Sequence, residues 1–172
     1  DLDACGICFG FATDPSQCEP EVNLSISNLE DNGDSTWNAS ILMSNTVPVA
    51  GWQFQIVSNP DVITLISISG GTATEAGFML SSSENGTAVG FSMDAIGIAP
   101  GSDVLVYANL SVDNDYAIID IIDGVFSDVD GISIPVTYGD SFIFGTLPET
   151  PSAPTNLTAD VEDNVNVQLS WD

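Results

Sequence analysis

Carboxylates are the only strongly titrating side chains that this sequence offers for chemistry. Its 172 residues include 25 Asp and Glu and no Lys, Arg or His, giving a formal charge of −25. An ordinary chain carries about 25% charged residues, roughly half of them cationic, so about 20 basic side chains are missing. Without them there is no imidazole base, no lysine nucleophile and no arginine clamp for phosphate. Nucleic acid is excluded as a direct partner, because neutralising its phosphates requires Lys or Arg. Anionic membrane surfaces are disfavoured for the same reason. Two carboxylate mechanisms survive the composition, glycoside hydrolysis by paired acids and aspartic proteolysis. The protease needs Asp-Thr-Gly or Asp-Ser-Gly, whereas the chain has Asp34-Ser35-Thr36 and Asp140-Ser141-Phe142. A glycosidase cleft normally recruits His, Arg or Lys to hold sugar hydroxyls. The sequence therefore reads as non-enzymatic.

Calcium is a better use for the acids. Asp113-Asn114-Asp115, Asp120-Ile-Ile-Asp123-Gly124 and Asp128-Val-Asp130-Gly131 each place two carboxylates within one turn's reach. Hard cations collect several oxygens, and such loops can supply them. The candidate ligands are Asp113, Asp115, Asp120, Asp123, Asp128 and Asp130; the competing reading is a set of solvated turns whose Asp side chains bond their own backbone. Cys5, Cys8 and Cys18 lie in the first twenty residues and staple one end, not the core. Cys5-Gly-Ile-Cys8 fits a redox pair or half of a zinc site, but a fourth zinc ligand and a βαβ context are both missing. A structural disulfide is favoured, with the odd thiol free or bonded to another chain. Asn-x-Ser/Thr sequons at Asn23, Asn38, Asn85, Asn109 and Asn156 are candidate glycan acceptors. Trp37 and Trp52 fall on the apolar phase of their segments and read as core, which leaves Tyr107, Tyr116 and Tyr138 as the exposed ring set for a polysaccharide.

The elements that must position these residues are strands. A hydrophobic content of 44% and a mean hydropathy of +0.24 describe a chain that folds despite its charge. Val22-Asn-Leu-Ser-Ile-Ser27 and Trp52-Gln-Phe-Gln-Ile56 alternate apolar with polar, the pattern of a half-buried strand. Further strands are expected at 36–43, 62–68, 87–93, 103–112, 117–122, 132–137 and 141–145, separated by turn sequences such as Asp31-Asn-Gly-Asp34 and Glu84-Asn-Gly86. Many short strands at regular spacing predict an all-β sandwich, with at most one helical turn near Thr72–Gly77. No apolar run reaches 18 residues, so no membrane-spanning segment is expected. Beginning at Asp1 without a signal-type stretch, the sequence reads as a processed or excised piece.

Four parts follow: a Cys-containing segment 1–20, a sandwich 21–146, a Pro-rich linker 147–155 and two strand-like segments within 156–172. The linker contains Leu147-Pro-Glu-Thr150, part of a wall-sorting signal, but Pro151 stands where that signal needs Gly.

Three segments carry a family resemblance: Val47-Pro-Val-Ala-Gly-Trp-Gln-Phe-Gln-Ile56, Asp61-Val-Ile-Thr-Leu-Ile66 and Gly124-Val-Phe-Ser-Asp-Val-Asp-Gly-Ile-Ser-Ile-Pro-Val136. From Val22 to Phe144 the chain resembles a cohesin-type domain, the jelly-roll β-sandwich of cellulosome scaffoldins and other large secreted proteins. The resemblance implies a fold more than a function, since cohesins bind dockerins through a sheet face whose residues vary. Pro151-Ser-Ala-Pro154-Thr-Asn-Leu157-Thr-Ala159 with Val167-Gln-Leu169-Ser-Trp171 looks like the first two strands of a fibronectin type III module, or a strand donated to a neighbouring subunit. The Cys5–Gly10 stretch is similar to C-G-x-C-x-G repeats of long bacterial surface proteins. Together these features imply an extracellular, non-catalytic structural module of a surface protein or filament, assembling with copies of itself or neighbouring domains by strand addition. The alternative is a recognition module for a dockerin-like protein or a polysaccharide.

Overall fold

The computed structural model describes residues 21–146 and, beyond them, the backbone of two short strands, Thr158–Val161 and Val167–Ser170. In chain order the elements are β1 Val22–Asp31, β2 Thr36–Asn45, β3 Gly51–Asn59, β4 Ile63–Ser69, α1 Gly71–Glu75, β5 Met79–Ser82, β6 Thr87–Phe91, β7 Gly101–Val112, β8 Tyr116–Ser127, β9 Ser133–Ile134, β10 Val136–Tyr138 and β11 Phe142–Gly145, followed by β12 Thr158–Val161 and β13 Val167–Ser170. One sheet runs β10-β1-β2-β7-β4 and the other β11-β8-β3-β6-β5, with β9 pairing β8. Every pairing is antiparallel except β1 with β10. The all-β sandwich expected from the alternation is what the chain forms. β12 and β13 pair with each other, Thr158 opposite Ser170 and Val161 opposite Val167.

Period-two patterning does the sorting. Val22 and Leu24 on β1, Ala39, Ile41 and Met43 on β2, and Trp52, Phe54 and Ile56 on β3 all face inward, packing with Leu110, Ala117, Ile119 and Phe126 from β7 and β8. Trp52 stacks on Phe54 with ring centroids 5.3 Å apart, as a core reading requires. α1 carries the chain from the edge of one sheet to the edge of the other and buries Ala73 against β7. Asn45 is the one buried polar side chain among the described residues. Its amide donates to the carbonyls of Val47 and Ala99 at 2.9 and 3.1 Å, tying two loops together.

Bulges break the pattern at several places. Ile41 pairs Val106 and Leu42 pairs Val104, which leaves Leu105 as an extra residue in β7. Leu105 and Val106 are consequently both buried, two neighbours pointing the same way. In β8 the register shifts at Asp123-Gly124, where Asp123 takes a left-handed φ of 52°. The sequence reading stopped this strand at residue 122; it runs on through the bulge to Ser127.

The two ends of the sandwich have different roles. β1 starts at Val22 opposite Asn45, and the loop after Asn45 leads straight into β3 at Gly51, so Val22, Asn45, Gly51 and Ser127 share one pole. β7 ends at Val112 and turns into Tyr116, which pairs Gly145, so Asp31, Val112, Tyr116 and Gly145 share the opposite pole. The chain thus enters the sandwich at one pole and leaves it at the other, about 30 Å away at a strand rise of about 3.3 Å per residue.

Gly90 on β6 marks the tightest approach in the core. A Cβ there would lie 2.3 Å from the Trp52 indole, whose buried Nε1 has no hydrogen-bond partner. Gly90→Ala is therefore expected to destabilise the fold by about 1–3 kcal/mol through overpacking. Urea unfolding should show a smaller penalty in a Trp52→Phe background; an equal penalty in both backgrounds would place the strain elsewhere.

Candidate functional site: the outer face of one sheet

The register defines which side chains leave the sandwich on the β11-β8-β3-β6-β5 sheet. Gly51, Gln53, Gln55 and Val57 of β3 stand beside Phe91, Val89 and Thr87 of β6, and those beside Met79 and Ser81 of β5. On the other side lie Ser127, Val125, Ile122, Asp120 and Ile118 of β8, then Ile143 of β11. Met79, Phe91, Val125 and Ile143 are 56, 44, 60 and 53% exposed, so this is apolar surface open to water. Asp120 is the single carboxylate at these paired positions, with Asp123 at the adjoining bulge. In a chain carrying 25 acids, a sheet face this poor in charge is where desolvation costs least.

The apolar surface continues around the entry pole. The loops following β6 and β8 expose Met93 at 72%, Ile96 at 61% and Ile132 at 63%, along with Val129. Their proximity is direct, since a Cβ on Gly97 would sit 3.1 Å from Val129 Cγ1. The opposite sheet presents a different outer face. There Asn23, Ser25, Asn28 and Glu30 of β1 lie opposite Ser44, Leu42, Ser40 and Asn38 of β2, and Ser40, Asn38 and Thr36 lie opposite Tyr107, Asn109 and Ser111 of β7. That surface is mostly polar, with Glu30 as the carboxylate at these paired positions.

The acids proposed as calcium ligands are distributed rather than gathered. Asp113 and Asp115 sit in the turn between β7 and β8, Asp120 and Asp123 lie along β8, and Asp128 and Asp130 occupy the turn after β8 at the entry pole. Among the described residues no three Asp, Glu, Cys or His side chains converge as a cation site. Asp128 bonds its own loop, accepting the backbone N–H groups of Asp130 and Ile132 at 2.9 and 2.8 Å. Asp120 and Asp140 border a groove of about 170 Å³ together with Tyr138 and Ile26. The Thr36 hydroxyl, 2.6 Å from Asp34 Oδ1, holds that carboxyl below its ordinary value. A lowered pKa in the folded state favours folding above the unfolded value of 3.8, and the contribution is lost as pH falls through the lowered one.

The rings do not form a platform. Tyr107 faces out from the Asn/Ser/Thr surface, Tyr116 lies on the outer side of the other sheet, and Tyr138 accepts the Gly124 N–H at 2.6 Å beside the β8 bulge. Tyr107 and Tyr138 are exposed, as the sequence leads one to expect, but strand pairing places the three rings on separate surfaces. Trp37, expected in the core, is half-buried at the exit pole, edge-on to Phe144 with centroids 4.7 Å apart. Cys5, Cys8, Cys18, Asn156 and the 147–155 linker lie outside the described residues.

Neither a protein-family model nor a curated protein matches the sequence. Solved structures do match the fold. The sixth cohesin of scaffoldin B from Acetivibrio cellulolyticus, solved in complex with the Cel5 dockerin, superposes with a TM-score of 0.55 at 16% identity, covering 73% of this chain and 98% of that one. The non-cellulosomal cohesin of the archaeon Archaeoglobus fulgidus gives 0.54 at 17% identity over 75 and 93%. The third cohesin ScaC of Acetivibrio cellulolyticus, in complex with the ScaB dockerin, gives 0.55 at 20% identity over 74 and 99%. The fold is the cohesin-type β-sandwich, as the three sequence segments implied.

Dispersed acids make a specific thermal prediction. Raising NaCl from about 10 to 150 mM shortens the Debye length from about 30 to about 8 Å and should raise Tm by weakening carboxylate repulsion. CaCl2 at matched ionic strength is expected to give the same shift in a thermal melt. A clearly larger rise at micromolar calcium would mean that these acids do converge on a cation.

Proposed function

We propose that this chain is a non-catalytic, extracellular recognition module that docks a protein partner of the dockerin kind on the outer face of its β11-β8-β3-β6-β5 sheet. The observation that carries this reading is the apolar, almost acid-free character of that face, set against a chain of −25 charge. Specific interfaces bury about 800 Å² per partner around an apolar centre with a polar rim. Met79, Phe91, Val89, Val125 and Ile122 supply such a centre, and Gln53, Gln55, Thr87 and Ser127 supply hydrogen-bonding groups around it. The dockerin partners of the structurally similar cohesins support the choice of occupant. Electrostatics narrows it further: a partner with basic groups around an apolar patch would be drawn in by the long-range field and would escape repulsion at the rim.

The path of the chain favours a second, compatible reading. Entering at one pole and leaving at the other suits a unit strung in series within a large surface scaffold. Strand-addition assembly with copies of itself has less support than recognition, because β5 and β11, the edge strands of this sheet, are only four residues each and offer short main-chain ladders.

Calorimetric titration against a panel of dockerin modules tests the main reading. At least one should bind, and Phe91→Asp with Val125→Asp should weaken that binding at least about 30-fold, as expected for central anchors, with Tm unchanged. Binding that ignores both substitutions, or a panel without a single binder, overturns it.

A further inference from the structure

The four sequons within the described residues are not equivalent. Asn23 lies on β1, and its Nδ2 donates to Thr137 Oγ1 at 3.0 Å. Asn38 on β2 and Asn109 on β7 are paired directly opposite one another, both half-buried, and Asn109 Oδ1 is fully buried. All three lie within strands, with their amides bonded to or packed against the neighbouring strand rather than held out in a turn. Asn85 alone sits in an exposed turn, between β5 and β6.

The turn is fixed from several sides. Gly86 N–H donates to Ser83 O at 3.0 Å, Ser83 N–H to Thr87 O at 2.9 Å, and Ile56 N–H to Gly86 O at 2.9 Å. Gln55 Nε2 donates to the Asn85 carbonyl at 2.7 Å. Gly86 is obligatory, with φ at 89° and no room for a Cβ, which would lie 2.0 Å from Ile56 O. Within this frame the sequon closes on itself. Thr87 N–H donates to Asn85 Oδ1 at 3.2 Å, and Ser83 Oγ–H donates to the same oxygen. Both donors engage the amide oxygen, which turns Nδ2 towards solvent and renders its N–H groups more acidic. Beside it opens a cleft of about 600 Å³ bordered by Gln55, Ser58, Asp61 and Glu84, so a first sugar has room.

From this geometry we infer that Asn85 is the N-glycan acceptor of the sandwich, and that Asn23, Asn38 and Asn109 are not. The co-substrate is a lipid-linked oligosaccharide. Asn85 Nδ2 forms a C–N bond to the anomeric carbon, the bond from that carbon to the lipid phosphate oxygen breaks, the phosphate departs with the electron pair, and the amide proton passes to a base of the transferase.

Secretion of the full chain from a yeast host, followed by intact mass and peptide mapping, tests the assignment. Mapping needs Glu- and Asp-directed proteases together, since trypsin has no Lys or Arg to cleave and only cuts at Asp94 and Asp103 separate Asn85 from Asn109. Among these four sites the expected result is a glycan on Asn85 alone, lost completely in Asn85→Gln and in Thr87→Ala and retained in Thr87→Ser. Glycan on Asn23, Asn38 or Asn109, or an unmodified Asn85 in the folded secreted protein, would overturn it.

Discussion

No carboxylate in this sandwich can be answered by a basic side chain, and much of its design follows from that. Each acid has either to remain in water or to take its hydrogen bonds from the chain itself. Asp31 accepts Gly33 N–H at 2.7 Å, Asp34 accepts the Thr36 hydroxyl, and Asp128 accepts two amides of its own loop. These are turn positions, where an Asp side chain stabilises the reversal of direction and stays solvated. Acids therefore concentrate at the poles and in the loops, and the sheets are held together by apolar burial and main-chain ladders.

Sorting charge into turns leaves the two outer sheet faces free to diverge. One is tiled with Asn, Ser and Thr, groups that water satisfies well and that give an approaching protein little reason to displace it. The other carries Phe91, Val125, Met79 and Ile143 in the open. Burying a carboxylate without a partner costs several kcal/mol, whereas burying these side chains is favourable at about 25 cal/mol per Å². The same composition thus leaves this face as the one where apolar side chains meet water with few carboxylates among them.

Much of this was legible in the sequence because strand alternation is a local property. Val22–Ser27, Trp52–Ile56 and the turn sequences between them defined strands and core positions correctly, and the cohesin-like segments pointed to the right fold. Short and irregular elements were not legible. β5 is only four residues, Met79-Leu-Ser-Ser82, too brief to show a period. Asp123 and the residues after it fall outside the strand expected at 117–122 because the bulge at Asp123 disguises a strand that continues to Ser127. The apolar outer face had a readable signal that alternation alone obscures: Ile118-Ile119, Ile121-Ile122 and Val125-Phe126 are adjacent apolar pairs along one strand, which means that both faces of that strand are apolar. By contrast the differences among the sequons depend on cross-strand register, which no local pattern encodes.

Register also orients the docking face along the chain. Met79 pairs Phe91, which pairs Gly51, which pairs Ser127, and these positions lie at the pole where the chain enters. Val125 is one step further along the same face, and the exposed loop residues Met93, Ile96 and Ile132 adjoin it at the pole. On the β3–β6 side the face becomes more polar towards the exit pole through Gln55 and Thr87, whereas Ile118 and Ile143 keep the β8–β11 side apolar, and the turn bearing Asn85 stands on the polar side. A glycan on Asn85 would extend over water beside Gln55 and Thr87 and leave the β8 side uncovered. The footprint available to a partner is then the strip from Met79 and Phe91 across Val125 and Ile122 to Ile143, on the side of the sheet away from the Asn85 turn.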